Sequence, residues 1–214
     1  ADMKSGIAAM IVAMLEASHE EKKPDIALLI TGDEEIGGSR GVAHIIHKLK
    51  LNPSFVLVAD GPRHDKVSIT LKEKGGLWLE LKAKGKSAHG ARPWLGRNAI
   101  DILSGAIQKI KNFVGPVEAE AWKSTCNLAS IKTSNQAPNI VPTDACAVLD
   151  IRFTEVLASS PEELLAKIQK LVPEVQVSAL KKISLFLSKA QEPMIKKLQE
   201  DARKMIGQSM PIVH

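Results

Sequence analysis

The chain has 214 residues, of which 44% are apolar and 25% charged, the balance of a globular protein with enough length for one large domain or two modest ones. No apolar run approaches the ~20 residues that cross a bilayer, and no charged segment followed by an apolar stretch marks a signal peptide. The net charge of +5 raises nucleic acid as a partner, but the lysines (Lys48, Lys50, Lys72, Lys74, Lys82, Lys84, Lys86) are scattered without interleaved aromatics, so a solvated surface is expected instead.

In chain order, Ile7, Met10, Ile11, Met14 and Leu15 carry the spacing of a helix over residues 3–18. Ile26–Ile30 and Phe55–Val58 are short continuous apolar runs, with a helical stretch at about 39–51 between them. Buried strands alternating with helices predict a parallel sheet covered on both faces, with functional residues at its strand ends. After Pro62 the period changes: Leu77, Leu79, Leu81 and Ala83 alternate with Trp78, Glu80, Lys82 and Lys84, the period of a half-exposed strand. A helix (Ile100, Leu103, Ile107, Ile110), strands near 125–132 and 144–152, a helix (Leu164, Leu165, Ile168, Leu171) and a strand near 174–180 follow. This β-α-β-β-α-β order predicts a ferredoxin-like unit with one sheet face left open. A last helix from about Glu192 returns to the first domain, giving a division into 1–65, 66–187 and 188–214. Cys126 and Cys146 have neither metal-site nor disulfide spacing and read as reduced thiols of a cytoplasmic protein.

Three motifs place carboxylates at strand ends and a helix start. Thr31-Gly32-Asp33-Glu34-Glu35-Ile36-Gly37-Gly38 sets three acids side by side, Asp60 follows the second apolar run, and Asp2 precedes the first helix. Taken singly, these read as an acidic helix cap, an Asp-Gly turn and an N-cap. Taken together, their convergence suits a bound dication that offsets the repulsion.

These segments, with Gly85-Lys86-Ser87-Ala88-His89-Gly90-Ala91-Arg92-Pro93, Pro138-Asn139-Ile140-Val141-Pro142 and Asp150-Ile151-Arg152, resemble successive motifs of the co-catalytic dinuclear zinc aminoacylase, carboxypeptidase and succinyl-diaminopimelate desuccinylase family. The resemblance covers essentially the whole chain. It implies an α/β fold: a parallel-sheet catalytic domain with an inserted ferredoxin-like lid that pairs two subunits. It implies two Zn2+ per complete subunit, with Asp2 bridging them, Glu35 on one and Asp60 on the other. Glu34 would be the general base, and His89, from a neighbouring subunit's lid, would stabilise the oxyanion. Asn139 and Arg152 would bind substrate, a small peptide or an N-acylated amino acid. Asp at position 60 resembles the aminopeptidase and dipeptidase branches, and the deacylase branch stays open.

The match has departures. The family's His-x-Asp motif and its Gly-rich histidine segment have no counterpart, so both zinc-binding histidines are missing and the chain reads as a partial enzyme. His19, His44, His47 and His64 read as surface residues, and His214 is given no ligand role. A binding or dimerisation module without activity is the alternative.

Overall fold

The computed structural model describes residues 4–36, 38–60, 68–119, 121–188, 192–207 and 210–213. In chain order the elements are α1 (Lys4–Ser18), α2 (Val42–Leu49), β1 (Ile69–Thr70), β2 (Lys72–Glu73), β3 (Gly75–Lys84), α3 (Ala99–Val114), β4 (Thr125–Lys132), β5 (Asp144–Phe153), α4 (Pro161–Leu171), β6 (Gln176–Ile183), β7 (Phe186–Leu187), α5 (Glu192–Ile206) and β8 (Ile212–Val213). They divide into two compact units, Ala1–Ile69 with Ala190–Pro211, and Thr70–Lys189 with Ile212–His214.

The second unit is built on alternation. Along β5, Ala145, Ala147, Leu149, Ile151 and Phe153 are buried while the residues between them are half-buried. β3 follows the same period through Leu77, Leu79 and Leu81. A strand alternates its side chains between faces, so this pattern commits one face of the sheet to a core. The sheet order is β4-β5-β3-β6 and every pairing is antiparallel, with Leu79 opposite Leu149 and Leu81 opposite Ala147. This is the ferredoxin-like arrangement that the sequence predicts. Two helices close the buried face, α3 through Leu103, Ala106, Ile107 and Ile110, and α4 through Leu164 and Ile168. Each starts on a side-chain cap: Asn98 Oδ1 accepts from the Ile100 amide at 2.9 Å, and Ser160 Oγ accepts from the Glu163 amide at 3.1 Å. Lys167 and Ser159 beside Glu163 hold its carboxyl down to about 2. The other sheet face carries Trp78, Glu80, Lys82, Asp150 and Arg152, all at least partly exposed. Burial pushes the Cys126 thiol up to about 11, so it stays protonated at neutral pH.

Leu149 is fully buried in the middle strand pair. Leu149→Ala is expected to cost about 2–5 kcal/mol, the range for emptying such a position, measured by denaturant unfolding. An exposed control, Val156→Ala (89% exposed), is expected to cost less than about 0.5 kcal/mol.

The first unit departs from expectation. Ile26–Ile30 and Phe55–Val58 join no sheet, and the parallel pairing predicted for them is not formed among the described residues. Their side chains are largely in solvent, Ile30 at 50% and Val58 at 66% exposed. The helices beside them are also uncovered: α1 buries no residue and exposes Ile11, Val12 and Leu15, and α2 exposes Val42, Ile46 and Leu49. A continuous apolar run becomes a parallel strand only when neighbours take its backbone groups on both edges and helices cover both faces. Among the described residues these runs lack such neighbours. Gly6, in the first turn of α1, sits so close to Ala59 that a Cβ there would stand 2.5 Å from its carbonyl oxygen.

Candidate functional site

The acidic motif forms a turn closed by its own first carboxylate. Glu34–Ile36 is one 3-10 turn, and the Asp33 carbonyl accepts from the amides of Ile36 at 3.3 Å and Gly38 at 2.8 Å. Asp33 Oδ2 then accepts from the amides of Arg40 at 2.9 Å and Gly41 at 2.7 Å, at the start of α2. Glu34 and Glu35 are left exposed on the outside of the turn. Asp60 is exposed as well, and the Gly6–Ala59 approach puts the start of α1 beside it. Asp2, the expected bridging ligand, and His214 lie outside the described residues.

The implied zinc ions can be tested against this donor set. Glu35 and Asp60 are both oxygen donors, and among the described residues no three His, Cys, Asp or Glu side chains converge on a metal position. Zinc accepts carboxylate oxygens but ordinarily takes nitrogen or sulfur ligands beside them. The described residues therefore do not make up a zinc centre. His44 and His47, on α2, are exposed, and His19 stands in the turn after α1.

In the second unit the lid motif folds into a pinned loop. Lys86 and Arg97 pair by two backbone bonds of 2.8 and 2.9 Å, and the Gly85 amide bonds Thr143 at 2.8 Å. The same loop pairs with the segment around Asn139: His89 bridges Ile140, the Gly90 amide donates to Asn139 at 2.7 Å, and the Val141 amide donates to Ala88 at 2.9 Å. Two motifs 50 residues apart thus become one short ladder, with His89 and Asn139 both exposed on it. The Ala91 amide donates to His89 Nδ1 at 3.1 Å. In the neutral ring Nδ1 is then the acceptor and Nε2 carries the proton, a donor suited to an oxygen that gains negative charge. Beside the ladder lies an open groove of about 420 Å³, lined by Ser87, Ser134, Asn135, Gln136, Ile140 and Thr143. Ser87 and Ile140 belong to the two motifs, but Ser134, Asn135, Gln136 and Thr143 belong to none, so the groove itself is not legible in the sequence.

Arg152 stands apart from this pair. It lies at the Gly76 end of the sheet, eight residues along β5 from Asp144, or roughly 27 Å at the usual strand rise. Its guanidinium pairs with Asp150: Nη2 donates to Oδ2 at 3.1 Å, and Nε stands 2.9 Å from Oδ1 as an ion-pair contact. The structure thus joins His89 and Asn139 and leaves Arg152 with a carboxylate of its own strand.

Comparisons with known proteins agree on one family. Residues 71–180 match the M20 family described as peptidase dimerisation domain, and the chain belongs to that family. A probable carboxypeptidase of Paracoccidioides brasiliensis (strain Pb18) is 30% identical over 184 residues, 81% of this chain and 40% of the relative. A succinyl-diaminopimelate desuccinylase of Zymomonas mobilis is 30% identical over 187 residues, 83% of this chain and 49% of the relative. A tripeptidase structure from Staphylococcus aureus shares the fold, with a TM-score of 0.59 at 22% identity over 86% of this chain and 48% of that one. The chain spans less than half the length of each of these relatives.

Proposed function

We propose that the protein carrying this chain is a metal-dependent hydrolase that cleaves the amide bond of a small peptide or an N-acylated amino acid. The observation that carries this reading is the exposed Glu34–Glu35 pair, displayed on a turn that Asp33 closes at both ends. Relatives named carboxypeptidase and desuccinylase support the same bond type. Glu34 takes the proton of the attacking water and returns it to the leaving amine. His89 Nε2 donates to the oxygen of the tetrahedral intermediate. Asn139 and Arg152 hold the substrate, Arg152 through the guanidinium that Asp150 orients. Glu35, Asp60 and Asp2 are the carboxylates of a two-zinc site, which also requires nitrogen donors beyond the described residues.

Residues 66–187 act as a lid that pairs two subunits, and 1–65 with 188–214 belong to the catalytic domain. The chain enters the lid at the Gly75 end of β3 and leaves it at the Ile183 end of β6, while the His89 loop sits at the other end of the sheet. That arrangement supports a loop serving the neighbouring subunit's site. The exposed apolar runs of the first unit suit surfaces that further strands of a whole peptidase would cover. A cytoplasmic setting is supported by two free cysteines, and no helix among the described residues is long and apolar enough to cross a membrane.

The test is an assay of the full-length protein on dipeptides and N-acyl amino acids, before and after chelation, with sedimentation at tens of micromolar. Turnover that chelation abolishes and zinc restores, in a dimer, is expected. A zinc-loaded protein that sediments as a dimer and hydrolyses nothing in the panel would mark a binding module instead.

A further inference from the structure

We propose that Asp33 is a positioning residue, which sets the direction of Glu34 by locking both ends of the turn that carries it. The inference rests on the reading of Glu34 as the base, and three features of the turn carry it further.

First, one residue closes residues 33–41 twice. Its carbonyl takes the Ile36 and Gly38 amides, and its carboxylate takes those of Arg40 and Gly41. Helices are ordinarily capped by a Ser, Thr, Asp or Asn at the N-cap itself. Here the N-cap is Gly41, which has no side chain, and the cap comes from eight residues upstream. A local cap would stabilise α2 equally well and leave the acidic turn loose. The remote one ties the turn to the helix.

Second, the seat is shaped for a carboxylate. A Cβ on Gly41 would overlap Asp33 Oδ1 and stand 2.8 Å from its Cγ. The missing side chain of Gly41 is the space that Asp33 fills.

Third, the seat separates charge. Asp33 Oδ1 is buried with no hydrogen-bond partner, a costly state for an anion unless nearby dipoles offset it. The amides at the start of α2 supply that offset. Three successive carboxylates repel, and drawing the first inward leaves the other two facing outward with their mutual geometry fixed by the 3-10 turn.

The test compares Asp33→Ala, Asp33→Asn, Gly41→Ala and the double variant Asp33→Ala/Gly41→Ala in the full-length protein, with Glu34→Gln as reference. Asp33→Ala is expected to lower kcat by about 10- to 100-fold while KM stays within about threefold, the pattern of a displaced catalytic group. Gly41→Ala keeps the charge but takes the seat, and a similar loss is expected. The double variant should be no worse than the poorer single one, because both remove the same contact. Asparagine retains an acceptor for the two amides and is expected to recover most of the turnover.

Parent-like kcat in Asp33→Ala and Gly41→Ala, with Glu34→Gln inactive, would reduce Asp33 to a helix cap while the base assignment stands. A rise in KM at unchanged kcat would do the same. Full turnover in Glu34→Gln would instead remove the base, and this inference with it. Should Asp33→Ala fail to fold, Asp33→Asn against Gly41→Ala still decides: equal, parent-like kcat in both overturns the proposal.

Discussion

Replacing Glu34 by glutamine in the full-length protein is expected to lower kcat by about 10²- to 10⁴-fold while KM stays near the parent value. Glutamine keeps the length and shape of the side chain and removes only its ability to take a proton at neutral pH. Glu34 is exposed on a turn whose two ends are fixed by Asp33, so the substitution has little packing to disturb. Unfolding should therefore be almost unchanged, and the loss should appear in the chemical step. Steady-state kinetics with a melting curve on the same sample separates the two. Near-parent turnover would remove Glu34 as the base and leave the acidic turn as a helix cap.

Removing the His89 imidazole is expected to cost about 10²- to 10³-fold in kcat, the range for losing one donor to a developing oxyanion. The prediction depends on the tautomer. The Ala91 amide occupies Nδ1, so the ring offers a proton only at Nε2. The loop is pinned by the Lys86–Arg97 pair and by the ladder to Ile140, so a donor on it is held in place before substrate arrives. Because His89 is exposed, His89→Ala should leave the fold of the second unit intact. A variant with unchanged kcat and a raised KM would show that His89 only binds substrate.

The second unit was largely legible from sequence, because half-buried strands declare themselves. Leu77, Leu79 and Leu81 on β3 alternate with Trp78, Glu80 and Lys82, and the structure buries each of the three leucines. The spacing of Leu103, Ile107 and Ile110 likewise marks the face of α3 that meets the sheet. The first unit was legible only as an environment. Ile26–Ile30 and Phe55–Val58 have the composition of doubly covered strands, yet among the described residues they remain unpaired. An apolar run states what surroundings it needs and carries no information on whether the chain supplies them.

The site shows the same division. Glu34, Glu35, His89 and Asn139 were named from motifs, but the ladder that brings His89 to Asn139 is a long-range pairing of backbone groups, which side-chain identity does not encode. The closure by Asp33 is hidden for a related reason, since its partners are the amides of Arg40 and Gly41 rather than side chains. The Asp150–Arg152 grip was within reach: residues two apart on a strand share a face, and opposite charges there will meet.

In the proposed dimer Glu34 of one subunit works with His89 of its neighbour, and mixing two defective variants tests that pairing. Glu34→Gln protomers lack the base and keep the histidine, while His89→Ala protomers have the reverse defect. Unfolding and refolding the two full-length variants together, in equal amounts, lets half of the dimers form as hybrids. In each hybrid one site receives an intact Glu34 and an intact His89, so turnover should recover to roughly a quarter of the parent value. Recovery absent from a mixture shown to contain hybrid dimers would contradict a site shared between subunits, because each site would then draw both groups from a single chain.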